Sequence, residues 1–440
     1  MAMQESSGKN PTFADLTTIG VGGSIAHFVE PTSRVAVIEA VESADESGLP
    51  LCVIGGGSNM LVSDDSFNGV VVRDARRNIS VLDEALPAED RIDAKTGAYI
   101  VEVNAEAGCN WDDFVSHTIE LGLEGVEGLS GVPGTVGASV VQNIGAYGQE
   151  VSQSVVSVEV WDRKSKVTCE MSSEDLKFGY RTSSLKQSMY KTPGVPNNEY
   201  FPTPRYIVLS VTFRLRHSQM GTVAHSQLAR ALGVEVGSRM STNSIRREVL
   251  RVRASKGMLE DATRYENEYM RGAKSKLGVE NAIKLQEEDY VTGVWHEGDD
   301  IYSDRHSCGS FFMNPILSAA EADALPEDAP KFDAITQDGS HGIKTSAAWL
   351  IDHAGFHKGF RLESDEDDAS CQKHVCGVSP AGLSSLHTLA LTNRSCASAK
   401  DIENLANIII FGVKRVFNVT LVPEPVIIGM QLNIKKDNTK

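Results

Sequence analysis

The chain is short of positive charge. Its 440 residues hold 42 lysines and arginines against 59 aspartates and glutamates, a formal net charge of −17. That balance argues against nucleic acid or an anionic membrane surface as partner. It leaves room for an anionic small substrate, because a few local cations make a pocket positive. Long apolar runs are missing as well. None approaches the ~20 residues of a membrane span, and residues 1–13 are polar, without the apolar core of a secretory signal. The seven cysteines, Cys52, Cys109, Cys169, Cys308, Cys371, Cys376 and Cys396, are odd in number and scattered. Only Cys371 and Cys376 are close, and not at zinc-knuckle spacing, so no metal site is expected. A reduced, cytoplasmic protein is the expectation. The Rossmann fingerprint of strand, G-x-G-x-x-G and helix is also absent. In Gly55-Gly56-Gly57-Ser58-Asn59-Met60 the sixth position is methionine, and no amphipathic helix follows.

Glycine, by contrast, is concentrated. The run from Pro133 to Glu150 holds Gly134, Gly137, Gly145 and Gly148, with Ala138 and Ala146 between them and Gln142, Asn143 and Tyr147 interspersed. Glycine weakens both helices and strands. A chain that tolerates so much of it commonly needs bare backbone N–H groups close to something large, and a dinucleotide pyrophosphate suits such a site. A plain surface loop is the alternative. The second run, Gly55 to Asn59, sits between two apolar strands, so any phosphate there is held by a strand-to-strand loop, although a tight hairpin would look the same.

The length suits two or three domains. Strands are expected at 26–29, 51–54, 70–73, 79–82, 100–105, 155–161, 166–169, 206–215 and 419–422. Helices are expected at 33–47, 111–121, 245–256, 346–353 and 399–417, with Asn110 able to cap the second and Gly48, Gly122 and Gly355 just past the first, second and fourth. The stretch 258–304 is charged and poor in large apolar residues, and reads as an insertion. No internal repeat is visible.

Several side chains have chemistry to offer. Arg181 follows a glycine bend, and arginine grips carboxylates and phosphates bidentately; a surface arginine is the plain alternative. Ser310 stands beside Phe311, Phe312 and Asn314. Its hydroxyl is a weak acid that protonates only a strongly basic centre, and no G-x-S-x-G context makes it a hydrolase nucleophile; a turn-capping serine is the alternative. Glu424 lies between Pro423 and Pro425, which fix its backbone. Arg253 and Lys256 are three apart on a helix face, able to meet one diphosphate or to face solvent.

These pieces together resemble one family, the UDP-N-acetylenolpyruvoylglucosamine reductases (MurB-type). The matching segments are Gly55–Asn59, Pro133–Ala138, Gln142–Gly148, Phe178–Arg181, Gly309–Pro315, Ala348–Ile351 and Pro423–Pro425, in that order over nearly the whole chain. The resemblance implies an α+β protein: a vanillyl-alcohol-oxidase/PCMH-type FAD-binding domain plus a separate α/β substrate-binding domain. It divides the chain into a disordered start at 1–15, a two-lobed FAD domain at 16–218, a substrate domain at 219–418 with an insertion at 259–304, and a C-terminal strand at 419–440 returning to the FAD domain.

It further implies non-covalent FAD, held by Gly55, Gly56, Gly57, Ser58, Asn59, Pro133, Gly134, Gly137, Ala138, Gln142, Asn143, Gly145, Ala146 and Tyr147. NADPH would be co-substrate and a nucleotide sugar the second substrate, with no nucleic acid or membrane partner. Arg181, Ser310 and Glu424 match the catalytic residues: the arginine steadies a developing carboxylate-stabilised carbanion, the glutamate assists, and the serine gives the proton. Arg253, Lys256 and Asn314 match substrate-binding positions. His225 stands near a diphosphate-clamping tyrosine of one subclass, and His387 where some members have glutamine. Met313 replaces a frequent lysine. Insertions at 188–203, 259–304 and 362–376 have no counterpart in compact members and are expected to be surface elaborations. Two other readings compete: a flavin oxidase of the same superfamily, which would commonly tether its flavin through histidine or cysteine, and a non-catalytic nucleotide-sugar binder. The reductase reading requires Ser310, Arg181 and Glu424 to converge beside the glycine segments.

Overall fold

The computed structural model describes residues 10–82, 91–93, 96–190, 201–273, 303–336, 339–363 and 377–432. Part of the start expected to be disordered over 1–15 lies within the described residues. Residues 1–9 lie outside the described residues, but Thr12 caps the helix Phe13–Leu16 through a reciprocal pair of bonds with Asp15. Phe13 and Leu16 are buried, which fixes the segment in place.

A first lobe is built on three parallel strands in the order Ile25–Val29, Phe67–Val72, Leu51–Val53. Parallel neighbours need a crossover, and the helix Arg34–Glu46 supplies it, capped by Ser33. Val37, Val41 and Ala44 of that helix are buried against the sheet. A second lobe is an antiparallel sheet in the order Val167–Ser172, Val155–Asp162, Tyr206–His217, Ile100–Glu106, Ile79–Val81, with Leu123–Glu124 added to the central strand. The helices Trp111–Glu120 and Val136–Gln142 contribute to its core, where the rings of Phe114 and Phe213 lie 4.5 Å apart. Along Tyr206–His217 burial alternates with period two. Ile207 and Leu209 on the buried face pack into the first lobe, and Val211, Phe213 and Leu215 into the second. One long strand therefore ties the lobes together.

The glycine-rich run departs from its reading as backbone kept open for a ligand. Val136–Gln142 is a helix, capped by Thr135 and ended by Asn143 at φ +52°. Gly137 is there for protein packing, since a Cβ on it would stand 2.7 Å from the Cβ of Ala107.

Beyond the sheet, Met220–Thr222 pairs with Arg239–Ser241, and the helices Ser226–Leu232 and Thr242–Ala254 follow. The second of these begins earlier than the expected 245, because Ser241 caps it. It is fastened to the second lobe by a buried ion pair, Arg246 to Asp112 at 2.6 Å. A separate core gathers Phe311, Phe312, Leu350, Ile351, Ile402, Leu405, Ile409 and Val413, and takes in Ile19, Val21 and Leu61 from the first lobe. The helix Ala399–Phe417, capped by Ser398, runs along it.

Three expectations need correcting here. The strand expected at 419–422 lies later, at Val426–Ile428, where it pairs in parallel with Met60–Val62; Pro423 and Pro425 lack the N–H groups that a ladder through 423–425 would use. The insertion at 259–304 is not all surface. Its residues 274–302 lie outside the described residues, but Tyr265 and Met270 are buried in the core that holds Phe13, Leu16 and Met60. Of the other two insertions, 191–200 and 364–376 lie outside the described residues. Finally, Cys52, Cys109, Cys169 and Cys308 are free thiols, but Cys396 is disulfide-bonded, against the reduced state expected from scattered cysteines. Among the described residues no helix is long and apolar enough to cross a membrane.

Candidate active site

Both glycine runs meet in one cavity of about 560 Å³, within the ~300–1,000 Å³ range of small-molecule and cofactor sites. Its walls include Gly55, Gly56, Gly57, Ser58, Asn59, Pro133, Gly134, Gly137, Ala138, Gln142, Gly145 and Ala146. Besides Gly137, the absence of a side chain is a geometric requirement at Gly56 and Gly57. A Cβ on Gly56 would stand 2.8 Å from the Cα of Gly134. Gly57, at φ +66°, would bring one to 2.1 Å from the Leu16 carbonyl oxygen. Ser58 bolts the two runs together, its hydroxyl donating to the Pro133 carbonyl at 3.0 Å. Among the described residues, no protein acceptor takes the backbone N–H groups of Gly55, Gly56 or Gly57. Unpaired donors in a cavity wall call for a ligand with acceptors.

At another part of this wall stand Arg181, Glu424 and Ser310. Arg181 sits in a two-residue turn closed by mutual backbone bonds between Gly179 and Thr182, itself at φ +54°. Its Nε meets Glu424 Oε1 at 3.0 Å, and one terminal nitrogen donates to the Gly145 carbonyl at 2.7 Å. Glu424 also accepts from Gln142 Nε2 at 3.2 Å. Its backbone N–H donates to the Phe311 carbonyl at 2.9 Å, and Met313 N–H donates to Val422. Ser310 and Glu424 are thus brought together by the pairing of 311–313 with 422–424, two segments about a hundred residues apart.

Lys186, which the sequence reading missed, completes this group. Its ammonium donates to Gln142 Oε1 at 2.6 Å and to the Glu424 backbone carbonyl at 3.3 Å. Burial, reinforced by Arg181 and opposed by Glu424, brings it down to about 8. Its only sequence signal is a lysine five residues after Arg181.

Two positions expected at the cofactor do not line the cavity. Asn143 donates to the Gly179 carbonyl at 2.8 Å and accepts from Ser152 N–H, so it braces the turn that carries Arg181. Tyr147 lies within electrostatic reach of Arg253 and packs edge-on against the His225 ring at 5.9 Å. Asn314 accepts from Ala347 N–H at 2.9 Å, at the start of the helix Ala347–His353.

The remaining candidates form a cationic cluster. Arg253, buried, lines the cavity and donates to the carbonyls of Gly131 and Met258. Lys256 donates to Gln227 Oε1 at 2.8 Å, and burial together with the charges of Arg253 and Lys358 lowers its pKa. Lys358 is a second residue that the sequence reading missed. His225 and His387 complete the group, both held below the ordinary histidine range by burial and by Lys256. In each, Nδ1 accepts a backbone N–H, from Gln227 at 3.2 Å and from Leu389 at 3.0 Å. That leaves Nε2–H as the donor of a neutral ring.

A family model for an FAD-binding domain matches residues 25–169. A second, for the C-terminal domain of UDP-N-acetylenolpyruvoylglucosamine reductase, matches residues 300–428. The UDP-N-acetylenolpyruvoylglucosamine reductase of Thermobifida fusca is 37% identical over 98% of this chain and all of its own. The chain belongs to the UDP-N-acetylenolpyruvoylglucosamine reductase family. Its relative of that name from Cutibacterium acnes is 38% identical over 96% of this chain and 91% of its own. A crystal structure of the Thermus caldophilus reductase aligns over 94% of this chain and 96% of that chain at 21% identity, with a TM-score of 0.48. Membership makes the chain an oxidoreductase with an FAD-binding domain.

The cavity suits that group. Its unpaired backbone donors at Gly55–Gly57 match the acceptors of a pyrophosphate, and the glycine walls leave room for a flat ring system. Gly57→Ala is expected to raise the dissociation constant for FAD about 5- to 150-fold, since a side chain at a left-handed position against a carbonyl costs on the order of 1–3 kcal/mol. Titration of flavin-stripped protein, followed by quenching of flavin fluorescence, measures it.

Proposed function

We propose that this protein is the NADPH-dependent reductase of the enolpyruvyl ether of UDP-N-acetylglucosamine, making UDP-N-acetylmuramate for peptidoglycan in the cytoplasm. The observation that carries the proposal is the meeting of Arg181, Glu424 and Ser310 in the wall of the glycine-lined cavity. FAD, which the runs Gly55–Asn59 and Pro133–Ala138 would hold, would supply the two-electron chemistry that couples NADPH to the enolpyruvyl ether.

The residues of the chain do the rest. Arg181 offers a planar fork to the substrate carboxylate, which takes up charge as the neighbouring carbon becomes carbanionic. Glu424, held by Arg181 and Gln142, keeps that fork aimed and adds a hydrogen-bonding edge. Ser310 gives its hydroxyl proton to the carbanionic carbon, a centre basic enough to deprotonate an alcohol. Arg253, Lys256 and Lys358, with the Nε2–H groups of His225 and His387, form the seat for the diphosphate.

The oxidase alternative gains no support. Cys52 is the cysteine of the glycine-loop strand, and burial pushes its thiol up to about 12, so it stays protonated and unreactive. Acid precipitation should release all flavin colour into the supernatant, and colour kept by the pellet would favour a tethered oxidase.

The histidines add a pH dependence. His387 is held at about 4, below the unfolded value of ~6.5. Between these values the folded chain binds fewer protons than the unfolded one, so stability falls as pH drops from about 6.5 to about 4. The contribution is on the order of 3 kcal/mol, at about 1.36 kcal/mol per pH unit. His387→Gln should flatten the pH dependence of the urea midpoint over that window.

A further inference from the structure

The insertion after Met258 has a described beginning that reaches the flavin site. Arg264 donates through one terminal nitrogen to two carbonyls of other segments, Leu16 at 2.9 Å and Gly56 at 3.0 Å. Its other terminal nitrogen pairs with Glu260 at 2.6 Å. Its Nε is buried without a partner, and the residue lines the cavity. The segment is anchored on both sides of this contact. Tyr265 and Met270 are buried with Phe13, Leu16 and Met60. Asn267 donates to Asp15 at 3.0 Å.

Within one planar trans peptide the carbonyl and the following N–H point opposite ways. A bond that fixes the Gly56 carbonyl therefore fixes the direction of the Gly57 N–H, one of the unpaired donors. Glycine has the widest backbone freedom of any residue, so three in a row need an external hold to stay in one conformation. Thr18 supplies part of it, donating to the Gly57 carbonyl at 3.0 Å.

We propose that Arg264, on the insertion, is a positioning residue for the phosphates of FAD: by gripping Gly56 it holds the Gly55–Gly57 backbone with its free N–H groups set for the pyrophosphate. The proposal rests on FAD as the occupant of the cavity. It gives the insertion a task at the cofactor, where its sequence alone read as surface.

The test is equilibrium titration of the flavin-stripped full-length protein with FAD and, separately, with riboflavin, which shares the ring system and lacks phosphate. Arg264→Met should weaken FAD binding about 10- to 100-fold, the range for a lost hydrogen bond from a charged donor. Riboflavin binding should change less than about twofold. Arg264→Lys keeps the charge and the stem but not the fork. It should fold as the parent does and still weaken FAD severalfold, again sparing riboflavin. FAD affinity unchanged in both variants would overturn the proposal, as would equal losses for the two ligands, which mark a general packing defect. If the unaltered apoprotein took up no FAD, the reading of the cavity itself would fall, and the proposal with it.

Discussion

Replacing Ser310 by alanine should leave flavin reduction by NADPH near its wild-type rate and slow reoxidation by the enolpyruvyl ether by roughly 10²–10⁴-fold, the usual worth of a positioned proton donor. The two half-reactions separate because only the second creates a basic carbon. Ser310 is set for that carbon by backbone rather than by its own side-chain bonds: Phe311 accepts from Glu424 N–H and donates to Leu389, so the residue before it is fixed in the cavity wall. Alanine keeps this pairing, and the variant should fold and bind flavin as before. Rapid mixing under anaerobic conditions reads the two rates in one experiment. A nucleotide-sugar binding protein on the same scaffold would show a change in affinity alone.

The second large effect belongs to the Arg181–Glu424 pair. Arg181→Lys should slow reoxidation about 10²-fold or more, comparable to losing one donor of an oxyanion site. An ammonium cannot hold Glu424 and the Gly145 carbonyl while also meeting a carboxylate in two places. Glu424→Gln should slow the same half-reaction, because the amide keeps the shape but not the charge that aims the guanidinium. Both groups act through one contact at 3.0 Å. The double variant should therefore cost little more than the worse single one. Additive losses would mean that the two side chains work independently.

Local chemistry made much of this legible before any coordinates. Asn110 caps the helix expected after it, the helices expected at 33–47 and 399–417 are present, and the strand expected at 206–215 is the one that unites the two lobes. Glycine density located the cavity but not its construction. In Gly137 the missing side chain serves a helix packed on Ala107, and in Gly56 the contact of one glycine run with the other; composition alone does not separate these causes. Lys186, Lys358 and Arg264 escaped notice for a different reason. Their roles depend on partners such as Gln142 and Gly56, far away along the chain, and a lone lysine or arginine carries no sign of that. Asn143 and Tyr147 were drawn to the cofactor by neighbouring residues in the same motif, whereas Asn143 braces the Arg181 turn and Tyr147 packs on His225.

One experiment addresses the central claim directly: flavin absorbance of the purified protein under anaerobic conditions, with NADPH added first and the enolpyruvyl ether of UDP-N-acetylglucosamine second. The account predicts bleaching on the first addition and return of the yellow form on the second, with one UDP-N-acetylmuramate formed per flavin reoxidised. Protein that bleaches with NADPH but stays colourless after the second addition, or that is never reduced, would contradict it.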